Sequence, residues 1–83
     1  MQSIQMFDQI GYELEESDNN IIVFAKYTEI SETKIIINVN CGAIKKKKRY
    51  KWDTYLSLYQ FTAPEIVACA ALIQERNIRY VNN

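Results

Sequence analysis

The chain reads as an α+β domain: an antiparallel β-meander of four to five strands, with a C-terminal helix packed on one face and a short N-terminal helix. Three observations predict this. Hydrophobic residues alternate with period two through the middle of the chain, clusters of turn-forming residues separate those runs by only a few positions, and a capping signature opens an apolar run near the end. Short hairpin connections require antiparallel pairing, and a helix laid across one sheet face is the two-layer solution.

Ile4, Phe7 and Ile10 recur at helical spacing and predict a helix from about Ser3 to Ile10, with Gly11 as its C-terminal stop. From Tyr12 the period becomes two, with Tyr12 and Leu14 opposite Glu13 and Glu15. Ser17-Asp18-Asn19-Asn20 is a turn, and Ile21 to Thr28 is the returning strand, whose apolar face reads as Ile21, Val23, Ala25 and Tyr27. A polar turn from Glu29 to Thr33 leads to a third strand with Ile35, Ile37 and Val39 facing inward.

Asn40-Cys41-Gly42 then reverses the chain into residues 43–52. Alternation puts Ile44, Lys46, Lys48, Tyr50 and Trp52 on one face of that strand and Lys45, Lys47, Arg49 and Lys51 on the other. A desolvated, unpaired ammonium costs several kcal/mol, so the strand is expected at an exposed margin or edge. Tyr55 to Phe61 alternates as a fifth strand.

The sharpest boundary is Thr62-Ala63-Pro64-Glu65, a capping box with Pro in the first helical turn. The helix runs to about Arg76, with Asn77 as its stop and Ile66, Cys69, Ala70 and Ile73 as its expected core stripe. Ile78 to Val81 is a short extended tail.

With 83 residues, two Gly and one Pro, the chain has the length of a single domain, 1–83, and too few flexible residues for a linker. The opening residues carry no basic and apolar leader pattern. The longest apolar run, Ile66 to Ile73, falls well short of the roughly 18 residues of a membrane span. Cys41 and Cys69 are too few for a disulfide framework and read as two reduced thiols, with a single disulfide as the alternative. Together these predict a cytoplasmic protein without a membrane partner.

Catalytic chemistry has little to stand on. There is no histidine, which removes His-based acid–base and nucleophilic sites and most zinc sites, and two scattered glycines make no phosphate-binding loop. The acids at Glu13, Glu15, Glu16 and Asp18 do not follow a calcium-loop spacing. Cys41 has no partner base and reads as a turn residue. The expectation is a protein that is not an enzyme and uses no cofactor or metal.

The formal net charge is zero, but the charges are segregated: residues 1–33 hold seven acids against Lys26 alone, and residues 34–52 hold seven cations and no acid. Lys45, Lys46, Lys47, Lys48, Arg49, Tyr50, Lys51 and Trp52 therefore form the candidate binding segment, six cations in eight residues interleaved with two aromatics. Three readings fit it: an edge that is solvated or neutralised within the chain, a surface for an acidic protein, and a nucleic-acid site using phosphate neutralisation and stacking. The acidic first hairpin is expected either to neighbour the basic strand and pair with it, or to imitate a phosphate array.

Phe7-Asp8-Gln9-Ile10-Gly11-Tyr12-Glu13 opening a meander, and Phe61-Thr62-Ala63-Pro64-Glu65-Ile66 opening a final helix that ends near Ile78-Arg79-Tyr80, resemble small uncharacterised proteins encoded by phages and prophages of low-GC Gram-positive bacteria. That resemblance implies an accessory phage protein in the host cytoplasm that binds, and in some cases inhibits, a host enzyme or defence protein. The basic run is a departure from the group's pattern. The leading expectation is thus a non-enzymatic module that binds a host protein, and the alternative is a nucleic-acid-binding domain using strand 45–52. Because residues 66–73 are apolar around the whole helix, a homodimer through helix 63–76 is a further expectation.

Overall fold

Each long hairpin of the protein is opened by one side chain that takes over backbone donors. In the computed structural model, which describes residues 2–54 and 57–79, Asp18 Oδ1 accepts from the N–H groups of Asn20 and Ile21 at 2.7 and 2.9 Å. Thr28 Oγ1 does the same for Ile30 and Ser31, at 3.3 and 3.0 Å. Asn38 Oδ1 serves Asn40 and Cys41, at 2.9 and 3.1 Å. These are the local side-chain turns for which Asp, Thr and Asn are suited. The third closes on Gly42, whose φ of 77° lies in the region that favours glycine.

The turns fold β1 (Glu13–Ser17), β2 (Ile21–Tyr27), β3 (Ser31–Asn38), β4 (Ile44–Tyr50) and β5 (Ser57–Leu58) into one antiparallel sheet in sequence order. Helix α1 (Gln2–Gln9) precedes the sheet and α2 (Ala63–Arg76) follows it. The fold is the expected α+β meander. The fifth strand is shorter than the alternation over 55–61 predicts. Tyr55 and Leu56, and the part of the expected tail from Tyr80 onward, lie outside the described residues.

Both helices lie on the same sheet face. Phe7 of α1 stacks on Phe24 of β2 with centroids 3.8 Å apart and meets Tyr12 edge-on at 6.1 Å. Ile22, Ile35 and Ile37 from the sheet and Ala68, Cys69 and Leu72 from α2 complete the core, with Ile78 folded against it. Ser3 donates its N–H and hydroxyl to the Glu75 carboxylate at 2.8 and 3.0 Å. A carboxylate is thereby set against the positive first turn of α1, and the two helices are tied together.

Two faces differ from expectation. In β2 the core residues are Ile22 and Phe24, which sit opposite Ile37 and Ile35, so Ile21, Val23, Ala25 and Tyr27 lie on the helix-free face. In α2 the buried positions are Glu65, Ala68, Cys69 and Leu72, and Ile66 is 56% exposed. Both segments are apolar on two sides, so periodicity alone admits either rotation. In α2 the observed rotation places Glu65 inside, against Tyr12, Lys46 and Thr62.

Cys41 and Cys69 are free thiols. Burial, with the charge of Glu65 adding to it, pushes the Cys69 thiol up to about 12, so it remains a protonated core residue.

The stripe assignment has a direct check by urea denaturation. Leu72→Ala is expected to cost about 2–5 kcal/mol, as for a buried leucine, and Ile66→Ala less than about 1 kcal/mol.

Candidate functional site

The basic strand is divided by the pleat. Register places Ile44, Lys46, Lys48 and Tyr50 opposite Ile37, Ile35, Thr33 and Ser31, on the helix-covered face. Lys45, Lys47 and Arg49 fall opposite Ile36, Lys34 and Glu32, on the helix-free face. β4 is flanked on its outer side by only the two residues of β5, close to the marginal position expected.

Lys46 is not part of any open surface. It is 8% exposed, and its Nζ donates to Glu65 Oε1 at 2.7 Å. Glu65 is the third residue of the α2 capping box. Its Oε1 also accepts from Thr62 N–H at 2.8 Å, while its own N–H reaches Thr62 Oγ1. The second carboxylate oxygen accepts from the Tyr12 hydroxyl at 2.6 Å.

A buried charge persists only when paired and hydrogen-bonded, and here one carboxylate receives three donors from β4, the start of α2 and the residue that opens β1. Burial works to raise the Glu65 pKa. Lys46, the Thr62 N–H and the Tyr12 hydroxyl outweigh it and hold the carboxyl below its usual range. Burial, followed by the hydrogen bond and charge of Glu65, pushes the Tyr12 phenol far above its usual value. Lys26 arches past Gly11, whose φ is 90°, and its Nζ lies 4.6 Å from the Tyr12 ring centroid.

Next along the same face, Lys48, Tyr50 and Trp52 form a contiguous aromatic and cationic cluster. Tyr50 and Trp52 stack at 4.8 Å with planes 5° apart, and Lys48 Nζ lies 4.9 Å from the Tyr50 centroid and 5.6 Å from that of Tyr59. Trp52 is 65% exposed and Tyr59 44%. Tyr59 is absent from the candidate segment read in the sequence. It arrives because Tyr59 N–H donates to Lys46 O at 2.8 Å, and the alternation of Ser57 and Tyr59 after the Asp53-Thr54 break is the signal that places it there.

On the helix-free face Arg49 pairs with Glu32, and Lys34 pairs with Glu15 at 2.8 Å. Among the described residues Lys45, Lys47, Lys48 and Lys51 form no ion pair. The acidic hairpin does not neighbour the basic strand as the sequence suggested, because β2 and β3 separate β1 from β4. Among the described residues no group of three or more acids or thiols is gathered to hold a metal.

The eight candidate residues thus divide by environment. Lys46 is core, Arg49 is paired, Lys48, Tyr50 and Trp52 cluster with Tyr59, Lys45 and Lys47 stand on the opposite face, and Lys51 is exposed in the turn after β4.

The Glu65 network predicts a signed pH dependence. Its folded pKa is depressed, so its contribution is present above the unfolded value of about 4.3 and is lost as pH falls through the folded value. In urea titrations from pH 7 to pH 3, Glu65→Gln should be less stable than the wild type at pH 7, with the gap closing as pH falls. Tyr12→Phe should cost about 1–3 kcal/mol at pH 7 by removing one donor from a buried carboxylate.

Among the described residues no helix is long and apolar enough to cross a membrane. No protein-family model, curated protein or solved structure matches the chain. The functional reading therefore rests on the geometry of β4 and its neighbours.

Proposed function

We propose that the protein is a non-enzymatic binding module, and that it docks a protein partner with an acidic rim on the Lys48–Tyr50–Trp52–Tyr59 cluster. The observation that carries this reading is the pre-stacked Tyr50–Trp52 pair, with Tyr50 half-buried, Trp52 exposed and Lys48 over the Tyr50 ring. Tyrosine and tryptophan dominate binding hot spots, because each buries a large area while few torsions are frozen. A stack already formed in the free protein reduces the ordering cost of association. Lys48 supplies charge at the cluster, which steers an acidic partner and disfavours a basic one. The phage-type layout that the sequence resembles gives the partner its source, a protein of the bacterial host.

A second reading, nucleic-acid binding, is favoured by the four lysines of the segment that form no ion pair among the described residues. The aromatics argue against it. Base stacking uses open ring faces, and the Tyr50 ring is already engaged by Trp52 and Lys48. Charge argues the same way, since the formal net charge of the chain is zero rather than strongly basic.

Two measurements separate the readings. Four phosphate contacts to duplex DNA would weaken affinity roughly 150-fold between 50 and 200 mM salt. The protein-binding reading predicts no binding of a labelled duplex or single strand that shows such a slope. It also predicts that the immobilised chain retains a host protein in stoichiometric amount, and that Trp52→Ala lowers the affinity at least tenfold with stability unchanged. Retention unaffected by Trp52→Ala, or oligonucleotide binding with that slope, would overturn it.

A further inference from the structure

The helix-free face of the sheet carries opposite charge at its two sides, and among the described residues no ion pair joins β1 to β4. At the β1 side a register shift between Leu14 and Glu16 introduces a bulge. Glu13 and Glu16 sit opposite Ala25 and Val23, and Glu15 bonds Tyr27 and Lys34, so all three acids share the helix-free face. At the β4 side Lys45, Lys47 and Arg49 share it. Glu15 and Arg49 are engaged within the chain, by Lys34 and Glu32. Glu13, Glu16, Lys45 and Lys47 form no ion pair among the described residues.

The distance between these sides is decisive. Three strand spacings, about 14 Å, separate β1 from β4. That exceeds the screening length of about 8 Å at physiological salt, so the two sides do not neutralise each other across their own sheet. A second copy stacked face to face lies about 10 Å away, within reach of glutamate and lysine side chains extended from both sheets.

One row across the sheet shows how the fit works. Glu16, Val23, Ile36 and Lys45 are successive register partners, an acid and a base with two apolar residues between them. A two-fold axis parallel to the strands, between β2 and β3, lays this row on its own copy in reverse order. Glu16 then meets Lys45 of the second copy, the half-buried Ile36 lies over Val23, which is already buried in the single chain, and both contacts recur by symmetry, as an isologous interface requires. The neighbouring row, Glu13, Ala25, Lys34 and Lys47, sets Glu13 against Lys47 of the second copy and lays Lys34, which is already paired with Glu15, over Ala25. A two-fold axis across the strands would put acid on acid, so the charges select one orientation.

We infer that the protein forms a homodimer through the helix-free face of its sheet, with the acidic β1 side of each copy on the basic β4 side of the other. The interface uses the face of β4 opposite the Lys48–Tyr50–Trp52 cluster and is independent of the partner proposed for that cluster.

Sedimentation of the full chain at 50 mM and 500 mM salt tests it, using solvent-facing substitutions whose folding is verified by circular dichroism. A dimer is expected at low salt that weakens at high salt. Glu16→Lys alone and Lys45→Glu alone should each raise the dimer dissociation constant at least about 100-fold, since each places like charges together twice per dimer. The exchange of both, Glu16→Lys with Lys45→Glu, should restore dimerisation.

A monomer at low salt and high concentration would overturn the inference. So would a dimer that survives both single reversals and is lost in Ile66→Asp, which would assign the interface to α2. Monomers that bind a labelled oligonucleotide through Lys45 would assign the face to phosphate.

Discussion

The Glu65 carboxylate is the point on which the arrangement of this protein turns. It sits at the start of α2 and is bonded by Lys46 from β4, by Tyr12 at the entrance to β1 and by the backbone of its own helix cap. The three elements are far apart in sequence, so the network fixes how the ends of the sheet meet the helix. It also resolves a conflict in β4. A strand this cationic would otherwise lie with one lysine desolvated against Ile35, and with Glu65 as counter-ion that lysine becomes part of the interior.

Much of the layout was legible in the sequence because it is written locally. The capping box, the two positive-φ glycines, and the Asp18, Thr28 and Asn38 turns each act through residues within a few positions of one another. What was not legible depends on contacts between distant residues. Val23 and Ala25 are buried on the helix-free face among their cross-strand neighbours, Glu13, Glu16, Lys34 and Ile36, so both faces of β2 look like core. In α2 an apolar reading passes over Glu65 and selects Ile66, because a carboxylate is assigned to a buried stripe only when its partner is known.

The binding segment shows the same limit. Its eight residues were found together as a run, but a strand distributes a run between two faces and gives each face different neighbours. Lys46 and Arg49 are held within the chain, Lys48, Tyr50 and Trp52 gather around Tyr59, and Lys45 and Lys47 face away beyond reach of the acids on β1. The charge segregation visible in the sequence becomes, in the meander, a separation across one sheet face, because two strands lie between the acidic and basic ones.

The central claim is that Lys46 and Glu65 form one buried unit, and a double-mutant cycle in urea with Lys46→Met and Glu65→Leu measures it most directly. Each single change should cost about 3–5 kcal/mol by leaving an unpaired buried charge, and the double change should cost far less than the two together, because two apolar groups replace the pair. Additive costs, or a Lys46→Met variant as stable as the wild type, would contradict the account and return Lys46 to the surface.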